Sequence, residues 1–195
     1  GTVTGVQTCA LPILDKPPAA LIFKHAFGEG GCPMDVNRDG RTDWVLLEAP
    51  RPGEALGRMV WLEAPNWRRR LIDTGADFRD CLAAELWGTR GLLVLHRFSQ
   101  VRFYTPPPEE GEHWPYQEIY SIYTPSAQGG LLVGDVDGDG ASDIYCGNYW
   151  IRNPGRPRLP WRLFAIYGWW EQERSAMSRL ALAPLGAGGA QLIAA

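Results

Sequence analysis

No stretch of this chain reaches the roughly 18 consecutive apolar residues that crossing a bilayer requires, so no membrane span is expected in it. Basic charge is not in excess either. Lys and Arg number 19 against 22 Asp and Glu, a formal net charge of −3. A dedicated nucleic-acid binder is usually basic, so no nucleic-acid partner is expected. No C-x-x-C pair occurs, which removes a common zinc and dithiol-redox signature. G-x-S-x-G, H-E-x-x-H and the Walker loop are also missing. With them go the nucleophile elbow, the zinc-protease helix and the phosphate cradle. His25, His96 and His113 are scattered, and Glu109, Glu110 and Glu112 follow three prolines as a solvated loop. No residue earns a catalytic role, and the reading leans towards a non-enzyme.

What is present describes a packed chain. Hydrophobic residues make up 45% and charged residues 21% of 195, a balance that argues against wholesale disorder. Turn formers abound, with 23 Gly and 16 Pro, and Trp is high at nine. Many turns with many aromatics point to an all-β fold. The chain does not begin with Met, and residues 1–13 (GTVTGVQTCALPI) are expected to be a non-native segment. Residues 14–195 are then the folded part, expected to be a piece of a larger repeat array. Cys9 lies in the first segment. Cys32, Cys81 and Cys146 read as small buried apolar residues.

A repeat organises the chain. Asp35-Val36-Asn37-Arg38-Asp39-Gly40-Arg41-Thr42-Asp43 matches Asp135-Val136-Asp137-Gly138-Asp139-Gly140-Ala141-Ser142-Asp143, 100 residues on. A degraded copy stands halfway, at Glu85 to Gly91, before Leu92 to Leu95. Another follows near Pro184 to Gly189, before Leu192 and Ile193, giving a period of about 50. Trp67, Trp114 and Trp161 run in phase, 47 residues apart, each five residues before an Ile: Ile72, Ile119 and Ile166. Each follows a Pro turn, at Ala64-Pro65, Thr105-Pro106 and Asn153-Pro154. Leu21 to Phe27 looks like the same element of a preceding unit.

Each unit reads as four short strands. In the first these are Cys32 to Asp35, Asp43 to Glu48, Arg58 to Ala64 and Trp67 to Asp73. Arg68, Arg69 and Arg70 suit an exposed outer strand, where charge blunts an edge. Gly147-Asn148 supplies a tight turn in the third unit. Four strands in a ~50-residue repeat is the size of a propeller blade. Such a sheet cannot bury both faces alone, so the repeated Trp is expected to pack between units. The tandem Trp169-Trp170 breaks the pattern and is the better candidate for an exposed aromatic.

The acidic loops have a direct chemical reading. Calcium takes 6–8 oxygen ligands at about 2.3–2.6 Å. In D-x-[DN]-x-D-G-x-x-D, side-chain oxygens come from positions 1, 3 and 5, and position 9 closes the site. Gly at position 6 allows the sharp turn. Position 7 offers a backbone carbonyl. The expected ligands are Asp35, Asn37, Asp39, Arg41 and Asp43 in one loop, and Asp135, Asp137, Asp139, Ala141 and Asp143 in the other. That makes two Ca²⁺ sites. An EF-hand needs Glu at position 12 and flanking helices, whereas position 12 is Leu46 or Cys146 and the flanks are strand-like. A metal-free Asp-Gly turn is the alternative, but so many acidic side chains in nine residues repel one another without a cation. The Glu85 and Pro184 copies have lost the carboxylates and are expected to be metal-free.

These loops, the period and the strand flanks resemble FG-GAP/VCBS-type repeats, the blades of integrin-α-like propellers. Gly147-Asn148-Tyr149-Trp150-Ile151-Arg152-Asn153-Pro154-Gly155, with Trp161 beyond, is similar to the bacterial FG-GAP-like branch. The resemblance implies an incomplete β-propeller of four-stranded antiparallel blades, about three whole and partial ones at both ends. It also implies an exported bacterial protein, extracellular, periplasmic or on the cell surface. A non-enzymatic, calcium-stabilised binding or scaffold module follows, with a protein or carbohydrate ligand. The alternative is part of a calcium-dependent polysaccharide-degrading enzyme, because some lyases share this propeller.

Overall fold

A four-residue run in the middle of the chain, Leu92 to Leu95, is buried on every residue. In a strand, successive side chains point to opposite faces. Leu92 and Val94 accordingly enter one apolar cluster, and Leu93 and Leu95 enter another. The sheet carrying this strand is therefore covered on both sides, and its neighbours supply the covers.

The computed structural model describes residues 27–97, 100–108, 113–122, 130–166, 180–184 and 190–194. Residues 1–13, Leu21, His25, the Glu109–Glu112 segment, the copy after Pro184 and Trp169-Trp170 lie outside the described residues. All described elements are strands. The first sheet comprises β1 (Phe27–Met34), β2 (Asp43–Glu48), β3 (Gly57–Glu63) and β4 (Arg68–Ala76). The second comprises β5 (Phe78–Leu86), β6 (Thr89–His96), β7 (Gln100–Tyr104) and β8 (Tyr116–Ser121). The third comprises β9 (Leu131–Gly134), β10 (Asp143–Cys146), β11 (Tyr149–Arg152) and β12 (Arg162–Ala165). A hairpin of β13 (Leu180–Pro184) and β14 (Ala190–Ala194) follows.

Each four-stranded sheet is an antiparallel meander in chain order, and no described sheet closes on itself. The first strands of successive sheets adjoin: β1 lies against β5, β5 against β9, and β9 against β13. Between the first and second sheets sits a cluster including Cys32, Val45, Met59, Ile72, Phe78, Leu92 and Trp114. Between the second and third sits one including Leu86, Leu93, Phe103, Ile144, Ile151 and Trp161. Exposure rises towards the fourth strands, as in β12, where Phe164 is exposed.

The repeated Trp packs between units in two copies of three. Trp114 donates its backbone N–H to the Ile72 carbonyl of the preceding sheet (2.9 Å). Trp161 stands edge-on to Trp87 of the preceding sheet, ring centroids 5.6 Å apart. Trp67 is only half-buried and sits in a turn at φ 55, ahead of β4. Ile166 likewise departs from Ile72 and Ile119, being 39% exposed where they are buried.

Candidate metal centre

The connection between first and second strands takes two forms. In the second sheet it is a two-residue turn, Trp87-Gly88, with φ 52 and 73. Positive φ at both central residues is the type I′ pattern that matches strand twist. In the first and third sheets the same connection is the nine-residue acidic loop.

The two acidic loops follow one path. The Asp35 carboxylate accepts from the Gly40 N–H (3.1 Å), and Asp135 accepts from Gly140 (3.0 Å). Asn37 Oδ1 accepts from the Asp39 N–H (3.2 Å), as Asp137 does from Asp139 (3.4 Å). Asp39 accepts from the Arg41 N–H (2.8 Å), as Asp139 does from Ala141 (2.9 Å). Positions 4 and 6 are left-handed in both: Arg38 and Gly40 at φ 60 and 82, Gly138 and Gly140 at φ 76 and 85.

Position 9 anchors each loop. Asp43 and Asp143 are fully buried. Asp43 accepts from Val36 N–H within its loop (3.0 Å) and from Ala64 N–H just past β3 (2.8 Å). Asp143 accepts from Val136 (3.1 Å) and from Asn153 past β11 (2.7 Å). Burial pushes both carboxyls above the ordinary carboxylate range, against the opposing pull of those N–H donors. The neighbouring Asp39 and Asp35 push Asp43 further, and Asp137 does so for Asp143. A cation in the loop reverses that logic and favours ionised carboxylates.

Asp135, Asp137 and Asp143 bring carboxylate oxygens within 4.8 Å of one another, so this cluster could hold a metal ion. The donors are oxygen only, which suits a hard cation such as calcium better than zinc or copper. The Asp139 carboxylate is not among the three that converge; its backbone N–H donates to Asp137 (3.4 Å). In the first loop Asn37 takes the place of Asp137.

Two charged residues beside the loops are not apparent from the motif. Glu63 ends β3 and accepts from Asn37 Nδ2 (3.2 Å) and from Arg70 Nε (2.7 Å). The Arg70 guanidinium holds its carboxyl below the usual range. Arg152 ends β11 at the equivalent position and pairs with Asp137 (2.5 Å) and Asp139 (3.3 Å). One loop is thus flanked by an extra carboxylate and the other by a guanidinium. Both residues directly precede the repeated Pro-turn landmark, the one sequence signal that could have found them. Asn153 adds a brace. Its side-chain oxygen accepts from Trp87 Nε1 (3.2 Å) and Gly155 N–H (2.9 Å), and its amide donates to the Ser142 carbonyl (2.8 Å).

A cleft of about 710 Å³ opens between the first two sheets beside the Asp35 loop. Arg38, Arg68, Arg69, Arg70 and Arg90 line it, with Glu63 as the lining carboxylate. Arg69 pairs with Glu48 (2.6 Å) and Arg70 with Glu63, so the arginine run of β4 is partly spent within its own sheet. Comparison with known families gives no matching family model, and comparison with curated proteins gives no match.

Proposed function

We propose that the chain is a calcium-stabilised β-propeller module, a non-enzymatic binding or scaffold unit of an exported bacterial protein. The observation that carries this reading is the shared loop path. Two segments 100 residues apart adopt the same turn and the same carboxylate anchoring. In this reading Asp35, Asn37, Asp39, Asp43 and the Arg41 carbonyl hold one Ca²⁺. Asp135, Asp137, Asp139, Asp143 and the Ala141 carbonyl hold the other. The adjoining first strands of successive sheets support a radial arrangement, with the described sheets as consecutive blades. Calcium held by short loops without switching helices suits the millimolar levels outside the cell, where modules bind at about 10⁻⁴–10⁻³ M.

The arginine-lined cleft favours an anionic ligand, an acidic polysaccharide or an acidic protein segment. It also keeps the second reading in view, a polysaccharide-degrading enzyme. Incubating the chain with an acidic polysaccharide in calcium separates the two. Retention of the polymer without scission is expected. Calcium-dependent shortening of the polymer would favour the enzyme, and neither retention nor scission would remove carbohydrate from the proposal.

A further inference from the structure

Cys32 on β1 and Cys81 on β5 meet at the seam between the first two sheets. Each is 4% exposed. Both belong to the apolar cluster shared with Met34, Val45, Leu92 and Val94. Their Sγ atoms are 2.7 Å apart. Non-bonded carbons settle at about 3.5–4.0 Å, and sulfur is larger than carbon, so two separate thiols do not rest so close. Cys146 lies in the other cluster, away from this pair.

We propose that Cys32 and Cys81 form a disulfide that staples β1 to β5 at the adjoining first strands. The inference is independent of the calcium reading. The oxidant is a small-molecule disulfide such as oxidised glutathione. One cysteine loses its proton, and its thiolate attacks a sulfur of the oxidant, releasing one thiol and leaving a mixed disulfide. The other cysteine loses its proton and attacks the protein-bound sulfur, releasing the second thiol. The protein gives up two electrons and two protons. The oxidant's S–S bond takes both electrons, and its two sulfurs take up the protons.

Timing follows from burial. The thiolate is the nucleophile, and burial, with Cys32 alongside, pushes the Cys81 thiol well above its ordinary range. The bond therefore forms while the two sheets are still open, and folded, reduced protein re-oxidises slowly. The closed loop spans 49 residues and takes in all of β2, β3 and β4. It restricts the unfolded chain, with the Asp35–Asp43 loop inside the closed segment and the Asp135–Asp143 loop outside it. Disulfides persist in oxidising compartments, which agrees with an exported protein.

The test is a peptide map of the whole chain, folded in a glutathione redox buffer, alkylated under denaturing conditions and digested without reduction. A peptide joining Cys32 to Cys81 is expected, splitting on reduction, kept in Cys146→Ala and lost in Cys81→Ala. Reductant should lower the melting temperature of the wild type and leave Cys81→Ala unmoved. If Cys81→Ala fails to fold, the wild-type map decides alone. Recovery of both cysteines as alkylated thiols from cooperatively melting protein overturns the proposal. So does a link from either to Cys9 or Cys146.

Discussion

Asp43 and Asp143 each tie a loop to the residue just past the neighbouring strand, Ala64 after β3 and Asn153 after β11, using two carboxylate oxygens for two backbone N–H groups. Removing such a carboxylate leaves buried donors unpaired, at about 1–3 kcal/mol each. Asp143→Ala is therefore expected to destabilise the chain severely even in a chelator, whereas Asp139→Ala, at an exposed position, should matter mainly when metal is present. Urea unfolding with and without chelator separates the two. Arg38 is a second residue with a testable cost. It holds the left-handed position that Gly138 fills in the other loop, and a side chain there costs roughly 1–2 kcal/mol. Arg38→Gly should raise the melting temperature, and a fall would show that the guanidinium contributes more than the strain costs. Within one nine-residue window the oxygen cluster was legible, because Asp135, Asp137 and Asp143 are all local to it. Glu63, Arg152 and Asn153 were not, since strand pairing carries them to the loops from 10 to 26 residues away.

At the scale of the element, β6 is a strand whose two faces belong to different clusters, and its neighbours β5 and β7 also reach both. Leu92→Ala and Leu93→Ala should each cost about 2–5 kcal/mol, as cavities in two separate cores. Denaturant midpoints check this, and a harmless change at either position would mean that one face is not truly covered. The same strand ends at His96, which is buried, and burial lowers its pKa to about 4. Arg102 and Arg97 push in the same direction. The unfolded chain binds that proton at about pH 6.5 and the native one does not until about 4. Stability should thus be lost as pH falls through that window, by up to about 3 kcal/mol. His96→Gln should flatten this acid limb, measured as melting temperature against pH. Sequence and structure agree on β2 to the residue and on the Gly147-Asn148 turn before β11. They differ at β1, which starts at Phe27 rather than Cys32 because its glycines carry little β signal. That strand bulges between Phe27 and Gly31. They differ also at Trp67, where the aromatic suggested a strand but the backbone turns.

For the whole molecule, the repeat was readable because units of one length place equivalent loops on equivalent strands. Periodicity placed the repeated Trp between units, as Trp114 and Trp161 are, but it did not show which polar groups join successive sheets. Those ties are side-chain contacts between units: Tyr104 O–H to Asp73 (2.9 Å), Leu131 N–H to Asp80 (2.8 Å) and Trp87 to Asn153. None has a counterpart in the motif. In the proposed reading calcium acts at the first and third sheets, since among the described residues the second sheet makes the same connection with Trp87-Gly88, beside which the sequence keeps Glu85. Ligand linkage stabilises each occupied site by about 2.7 kcal/mol at a hundredfold excess over Kd. The deciding measurement is a calorimetric calcium titration of the chain, repeated on Asp39→Ala, Asp139→Ala and Glu85→Ala. Two calcium ions are expected for the wild type and Glu85→Ala, and one for each aspartate variant, with the melting temperature rising in calcium and falling in chelator. No heat of binding, and a melting temperature indifferent to both calcium and chelator, would contradict the proposal and leave the acidic loops as metal-free turns.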